Sequence, residues 1–137
     1  MQVLITGITG LVGSHLAEYI LAEHPEVDVA GIKRWRSPMD HIRHITDQVS
    51  LHDCDLRDLS SMLTVVSKGK PDVIFHLAAQ SYVSTSYTAP GGTLDTNING
   101  TDEAIREYYV GQHFQFGDTE EHPADNLVMA TAVEFLD

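Results

Sequence analysis

Met1-Gln-Val-Leu-Ile-Thr-Gly-Ile-Thr-Gly-Leu-Val-Gly13 is a short apolar run that ends in three glycines at intervals of three. The β-branched and apolar residues from Gln2 to Thr6 predict a buried strand. The strand runs into Gly7-x-x-Gly10-x-x-Gly13, and an amphipathic segment follows. Strand, glycine turn and helix in this order build the phosphate end of a dinucleotide site in a parallel sheet. Gly7 permits the tight turn, and Gly10 lets the backbone approach a pyrophosphate. Gly13 lets the helix lie close to the strand, so that its N-terminal amides and its dipole face the phosphates. The plain alternative is a βα turn that merely contains three glycines. A glycine inside a helix costs about 1 kcal/mol relative to alanine. Gly13 therefore needs a reason, and close packing or ligand approach supplies one.

The rest of the chain repeats the alternation. A helix is predicted from about Leu11 to Ala22, with Val12, Leu16 and Ile20 stacked on one face, and Pro25 beyond its end. A second strand spans Val27 to Ile32. A polar loop runs from Lys33 to Pro38, then a short helical stretch through Ile45. Val49 to Cys54 reads as the third strand. Ser60 or Ser61 is suited to cap a helix with Leu59, Met62, Leu63 and Val66 on one face, which Gly69 and Pro71 end. Val73 to Leu77 is the fourth strand. A loop of small polar residues follows, then a helix after Gly92 marked by Leu94, Ile98 and Ile105. The tail is expected to add a strand within 109–116 and a helix from Leu127 to Leu136. Alternating strands and helices predict an α/β fold, a doubly wound, mostly parallel sheet with strand order 3-2-1-4.

Composition bounds the reading. One domain is expected from 137 residues with 42% apolar content, and no stretch approaches the length of a membrane span. The first residues enter a strand with no basic-then-apolar leader, which points to the cytoplasm. Cys54 is the single cysteine, expected as a buried structural thiol. The net charge is −12, and residues 102–137 hold 9 of the 20 acids but only one base, Arg106. This balance argues against nucleic acid or an anionic membrane as a partner. It also makes the local cluster Lys33-Arg34-Trp35-Arg36 conspicuous.

That cluster follows strand two, where NAD-preferring folds place an acid against the ribose 2′-hydroxyl. A carboxylate there repels a 2′-phosphate, whereas guanidinium groups bind one through charge-assisted bonds. The cofactor expected is NADP; a solvated basic loop is the alternative. Asp55 ends strand three at the carboxyl edge of the sheet. It is placed either to accept from an adenine amino group, with Leu56 on the ring, or to cap the following turn. His76, in an apolar strand, reads as a hydrogen-bonded core histidine. His41-x-x-His44 has metal-like spacing without a third ligand, and His113 and His122 with Glu120 or Asp118 make an equally thin set, so no metal site is assigned.

Four motifs in order then resemble the extended short-chain dehydrogenase/reductases: Thr6-Gly7-Ile8-Thr9-Gly10-Leu11-Val12-Gly13, Asp55-Leu56-Arg57-Asp58, His76-Leu77-Ala78-Ala79-Gln80-Ser81, and the spaced set Thr93, Asn97, Gly100 and Thr101. Arg34-Trp-Arg-Ser-Pro38 and Ala79-Gln-Ser-Tyr-Val83 resemble most the GDP-mannose 4,6-dehydratase branch. The resemblance implies that Gly7, Thr9, Gly10, Leu11, Val12 and Gly13 hold the cofactor pyrophosphate, and Arg34 and Arg36 the 2′-phosphate. Asp55 and Leu56 would hold the adenine. Leu77, Ala78, Ala79 and Gln80 would line the ribose and nicotinamide, and Ser81 would face a nucleotide sugar. Such enzymes move a hydride from C4 of the hexose to NADP, lose water across C5 and C6, and return the hydride at C6.

The motifs cover residues 1–101, expected as an NADP-binding half, and the likeness is read as ending at Thr101. Residues 102–137 are expected as an acidic tail completing the same domain. The family's catalytic Tyr-x-x-x-Lys is absent: no lysine follows Lys70, Tyr108 is followed four positions later by Gln112, and Tyr109 by His113. No catalytic residue is identified. Sugar-nucleotide epimerases and 4-keto-sugar reductases share the same cofactor half. A non-catalytic NADP-binding or oligomerising module is the alternative of a different class, and a homo-oligomer is expected in either case.

Overall fold

The computed structural model describes residues 1–101. The strand and helix expected in 109–116 and 127–136, Ile105, and the His113 and His122 set lie outside the described residues. Within them, β1 (Gln2–Thr6), β2 (Asp28–Lys33), β3 (Ser50–Asp53) and β4 (Val73–His76) form one parallel sheet in the order β3-β2-β1-β4. This is the order read from the sequence. Val3, Leu4, Ile5 and Thr6 are all buried, because β1 has a strand on each side and packed residues on both faces.

The sheet separates two apolar clusters. Leu4, Ala30, Ile32 and Ile74 pack with Met62, Val65 and Val66 of α2 (Leu59–Gly69). Val3, Ile5 and Val29 pack on the other face with Ala17 and Ile20 of α1 (Leu11–Glu23), with Ile45 of a 3₁₀ turn at Arg43–Ile45 and with Ile42 just before it. That single turn stands where a short helix is expected. His44 there meets Glu18 of α1, with Nε2 2.9 Å from Oε1.

Three helix readings need correction. In α1, Ile20 is buried and Leu16 packs half-buried on the same cluster, as expected, but Val12 is exposed and Gly13, Ser14 and Ala17 complete the buried face. Small residues face the sheet because the helix lies too close for large ones. In α2, Leu59 and Leu63 are exposed, and the packed stripe is Met62, Val65 and Val66. Its cap is neither Ser60 nor Ser61. The Asp58 carboxylate accepts from both of their amides, at 3.1 and 3.3 Å, and from both hydroxyls. Finally, the loop read after β4 contains α3 (Val83–Thr88), and the next helix, α4 (Pro90–Leu94), starts before Gly92. A π-helical turn at Asp95–Asn99 continues it, with Leu94 and Ile98 exposed. The α3 hydroxyls bond back to the helix's own carbonyls, Ser86 to Val83 at 2.7 Å and Thr88 to Ser84 at 3.2 Å, which is how Ser and Thr are accommodated inside a helix.

Candidate functional site

A cleft of about 480 Å³ opens at the carboxyl end of the four strands, where open α/β sheets bind ligands. Its floor is the turn between β1 and α1. Gly7 has φ +72°, and a Cβ there would lie 2.9 Å from the Ala78 backbone. A Cβ on Gly13 would collide with the Gly7 carbonyl oxygen and lie 2.9 Å from Ile8 Cα. Both positions therefore require glycine, one for conformation and one for approach. Gly10 is the extended N-cap of α1; its amide donates to Gly7 at 2.9 Å and its carbonyl accepts from Ser14 at 2.9 Å. No side chain caps α1, and its first turn holds no acid. The helix thus presents its first amides and the positive end of its dipole to the cleft.

Gly7, Thr9, Gly10, Leu11, Val12 and Gly13 line one side of the cleft, with Arg34, Asp55 and Leu56 at another, and Leu77, Ala78, Ala79, Gln80 and Ser81 at a third. Arg36 does not line it. Left-handed at φ +65°, it lines an adjoining recess with Arg34, Trp35 and Ser37. Lys33 and Ser37 of the basic loop, Arg57 and Thr93 of the motifs, and Thr85 and Thr96 also line the cleft, though none of them was given a role in holding the cofactor. Arg57 had a signal, the Asp-x-Arg spacing that an Asx turn uses. Thr93 had its place in the spaced motif set, whereas Thr85 of α3 and Thr96 of the π-helical turn had no signal beyond small polar character.

The acids at this edge are already paired. Lys33 Nζ bridges the Asp53 carboxylate. Asp55 accepts from the Arg57 backbone amide at 3.0 Å and from its guanidinium at 3.0 and 2.7 Å. The Arg57 bonds hold the Asp55 carboxyl down at about 2. These bonds form the turn cap, the second of the two readings of Asp55. Its second carboxylate oxygen, bonded once by Arg57, keeps capacity for a further donor. Arg34 and Arg36 enter no ion pair among the described residues. Cys54 is buried, and burial together with Asp58 and Asp55 pushes its thiol up to about 11, which suits an inert thiol.

The segment after β4 is fixed from behind. The Asn97 side chain clamps Gln80, accepting from its amide at 2.7 Å and donating to its carbonyl at 3.1 Å. His76 is buried between Thr6 and Thr101, 3.0 Å from each hydroxyl.

The sequence model of the GDP-mannose 4,6 dehydratase family matches residues 4–119. The likeness therefore runs past Thr101, where the motifs had suggested that it ends. The GDP-mannose 4,6-dehydratase of Vibrio cholerae is 42% identical over 118 residues, covering 77% of this chain and 31% of the relative. The human GDP-mannose 4,6 dehydratase is 37% identical over 108 residues, covering 72% and 28%. Among solved structures, the UDP-glucose 4-epimerase of Thermus thermophilus in complex with NAD superposes with a TM-score of 0.73 at 26% identity, covering 82% of this chain and 35% of that one. The chain spans about a third of the length of the curated relatives it matches.

Proposed function

The chain belongs to the GDP-mannose 4,6-dehydratase family, and from that membership we propose that residues 1–101 hold NADP as the cofactor half of a sugar-nucleotide dehydratase. The pyrophosphate lies on the uncapped start of α1, the adenine between Asp55 and Leu56, and the nicotinamide side along Leu77–Gln80. Ser81 faces the sugar nucleotide. NADP supplies the acceptor for the hexose C4 hydride. The chain's own contribution is orientation and charge.

One observation carries the choice of NADP. Lys33 pairs with Asp53 and Arg57 with Asp55, while Arg34 and Arg36, just after β2, enter no ion pair among the described residues, Arg34 adding only a longer-range attraction on Asp55. Arg34 in the cleft and Arg36 in the recess beside it are suited to a 2′-phosphate, which guanidinium groups bind through charge-assisted bonds. A charge-assisted bond is worth about 1.5–3 kcal/mol, so NADPH is expected to bind at least about tenfold more tightly than NADH. Arg34→Ala with Arg36→Ala removes the preference. Equal affinity of the unmodified chain for the two dinucleotides, measured by calorimetry, contradicts the assignment.

A second reading, an NADP-binding module that oligomerises, has its own observation. Among the described residues β4 pairs with β1 on one side and with no strand on the other. Open parallel edges recruit partners. Self-association in sedimentation that strengthens with NADP, together with no turnover in any longer form of the chain, favours this module.

A further inference from the structure

A line of polar groups runs behind the cleft wall at the end of β4. Thr6 Oγ1 lies 3.0 Å from His76 Nδ1 and 3.1 Å from each of the Leu77 and Ala78 amides. The Leu77 amide also reaches the Thr6 carbonyl, at 3.3 Å. On the other side, His76 Nε2 lies 3.0 Å from Thr101 Oγ1, which is 2.8 Å from the Asn97 carbonyl oxygen.

Counting donors and acceptors fixes every proton in this line. Backbone amides only donate, so the Thr6 oxygen accepts from Leu77 and Ala78 and both of its lone pairs are engaged. Its one hydrogen must then be what meets His76, which makes Nδ1 the acceptor. At the far end the Asn97 carbonyl only accepts, so the Thr101 hydrogen goes there. The Thr101 oxygen is left to receive a hydrogen from Nε2. A neutral ring carrying its proton on Nε2 satisfies the whole line. An imidazolium would aim a second hydrogen at an oxygen with no lone pair left. Burial lowers the His76 pKa from its ordinary value, in the same sense, with no charged group contributing. Thr6 of β1 and Thr101 of the last described turn are the groups that bond the ring, and neither titrates.

We propose that His76 is a positioning residue for the cofactor: as the neutral Nε2–H tautomer it orients the Thr6 hydroxyl to gather the Leu77 and Ala78 amides, and ties them through Thr101 to the helical turn whose Asn97 clamps Gln80. The wall of the cleft at Leu77–Gln80 is thereby set from behind. Its effect on binding rests on the reading of the cleft as a dinucleotide site; the tautomer does not.

The test uses the ¹⁵N-labelled 137-residue chain. Two-bond proton–nitrogen correlations are expected to show His76 with Nδ1 bare and a hydrogen on Nε2, and to stay so below about 6.5, where a free imidazole protonates. An Nδ1–H tautomer or an imidazolium near neutral pH overturns the proposal. In the second arm, His76→Asn keeps an acceptor oxygen for Thr6, whereas His76→Leu keeps none. NADP affinity is expected within about threefold of the unmodified chain for the Asn form, and at least about tenfold weaker for the Leu form, because a buried hydroxyl is left unsatisfied. The Ala78 amide resonance shifts in the Leu form even without NADP. Equal affinity for all three forms overturns the positioning role. Should the Leu form not fold, the tautomer and the Asn form decide. Failure of the unmodified chain to bind NADP overturns the cofactor reading and with it the role toward the cofactor, while the tautomer and the Ala78 shift in the Leu form still decide whether His76 sets these amides.

Discussion

At the scale of single residues, the glycine turn carries most of the account. Gly13 is a helical position at which alanine would ordinarily stabilise, yet here a Cβ meets the backbone of Gly7 and Ile8. Backbone cannot give way as a flexible side chain does. Gly13→Ala is expected to destabilise the fold by about 1–3 kcal/mol and to weaken dinucleotide binding, read by thermal unfolding and by titration. A variant as stable as the parent contradicts the close approach of α1 to β1. These glycines were legible in the sequence because their role depends on a few neighbouring residues. The Asp58 cap was not, because Ser60, Ser61 and Asp58 are all residues that favour a helix start. Only the structure shows which carboxylate reaches which amides. Asp55 was legible as two alternatives; its bonds to Arg57 form the turn cap, and the adenine contact is a proposal that these bonds leave room for.

Among the elements, strands were easier to read than helix faces. An apolar β-branched run marks a buried strand whatever packs on it, so all four strands lie within a residue or so of their expected bounds. The face of α1 was read only in part: Leu16 and Ile20 pack on the core, but the stripe also holds Gly13, Ser14 and Ala17, which apolar periodicity does not register. The α3 segment was missed because Ser and Thr read as loop until their hydroxyls are seen to bond within the helix. The end of α2 yields a prediction of its own. Gly69 still belongs to the helix, and Lys70, after it, takes the left-handed conformation at φ 48° and ψ 54°. Left-handed backbone costs a non-glycine residue about 1–2 kcal/mol. Lys70→Gly is therefore expected to raise the melting temperature by roughly 4–8 °C for each kcal/mol regained. A lowered melting temperature would show that the Lys70 side chain contributes more than its backbone costs.

For the whole molecule, the decisive facts are the sheet order, the cleft at its carboxyl edge, and a length about a third of that of the curated relatives. We expect these 137 residues alone not to convert GDP-mannose, even with NADP bound. Dehydration begins with loss of the C4 hydroxyl proton to a base that titrates near the working pH. A tyrosine has a pKa of about 10 unless a cation lowers it. No lysine follows Lys70 in the sequence, and the described tyrosines, Tyr19, Tyr82 and Tyr87, are exposed. Positioning of the sugar is worth roughly 7–11 kcal/mol of the barrier, and Ser81 is the one residue proposed for it among the described residues. Formation of the 4-keto-6-deoxy product above a no-enzyme control would contradict this expectation. The central claim is that the cleft holds NADP, and the most direct measurement is a titration of the ¹⁵N-labelled chain with NADP, followed amide by amide. The account predicts saturable shifts at Gly7, Gly10 and Gly13, at Arg34 to Ser37, and at Ala78 to Gln80. Saturating NADP that leaves the amides of the glycine turn unmoved would contradict it.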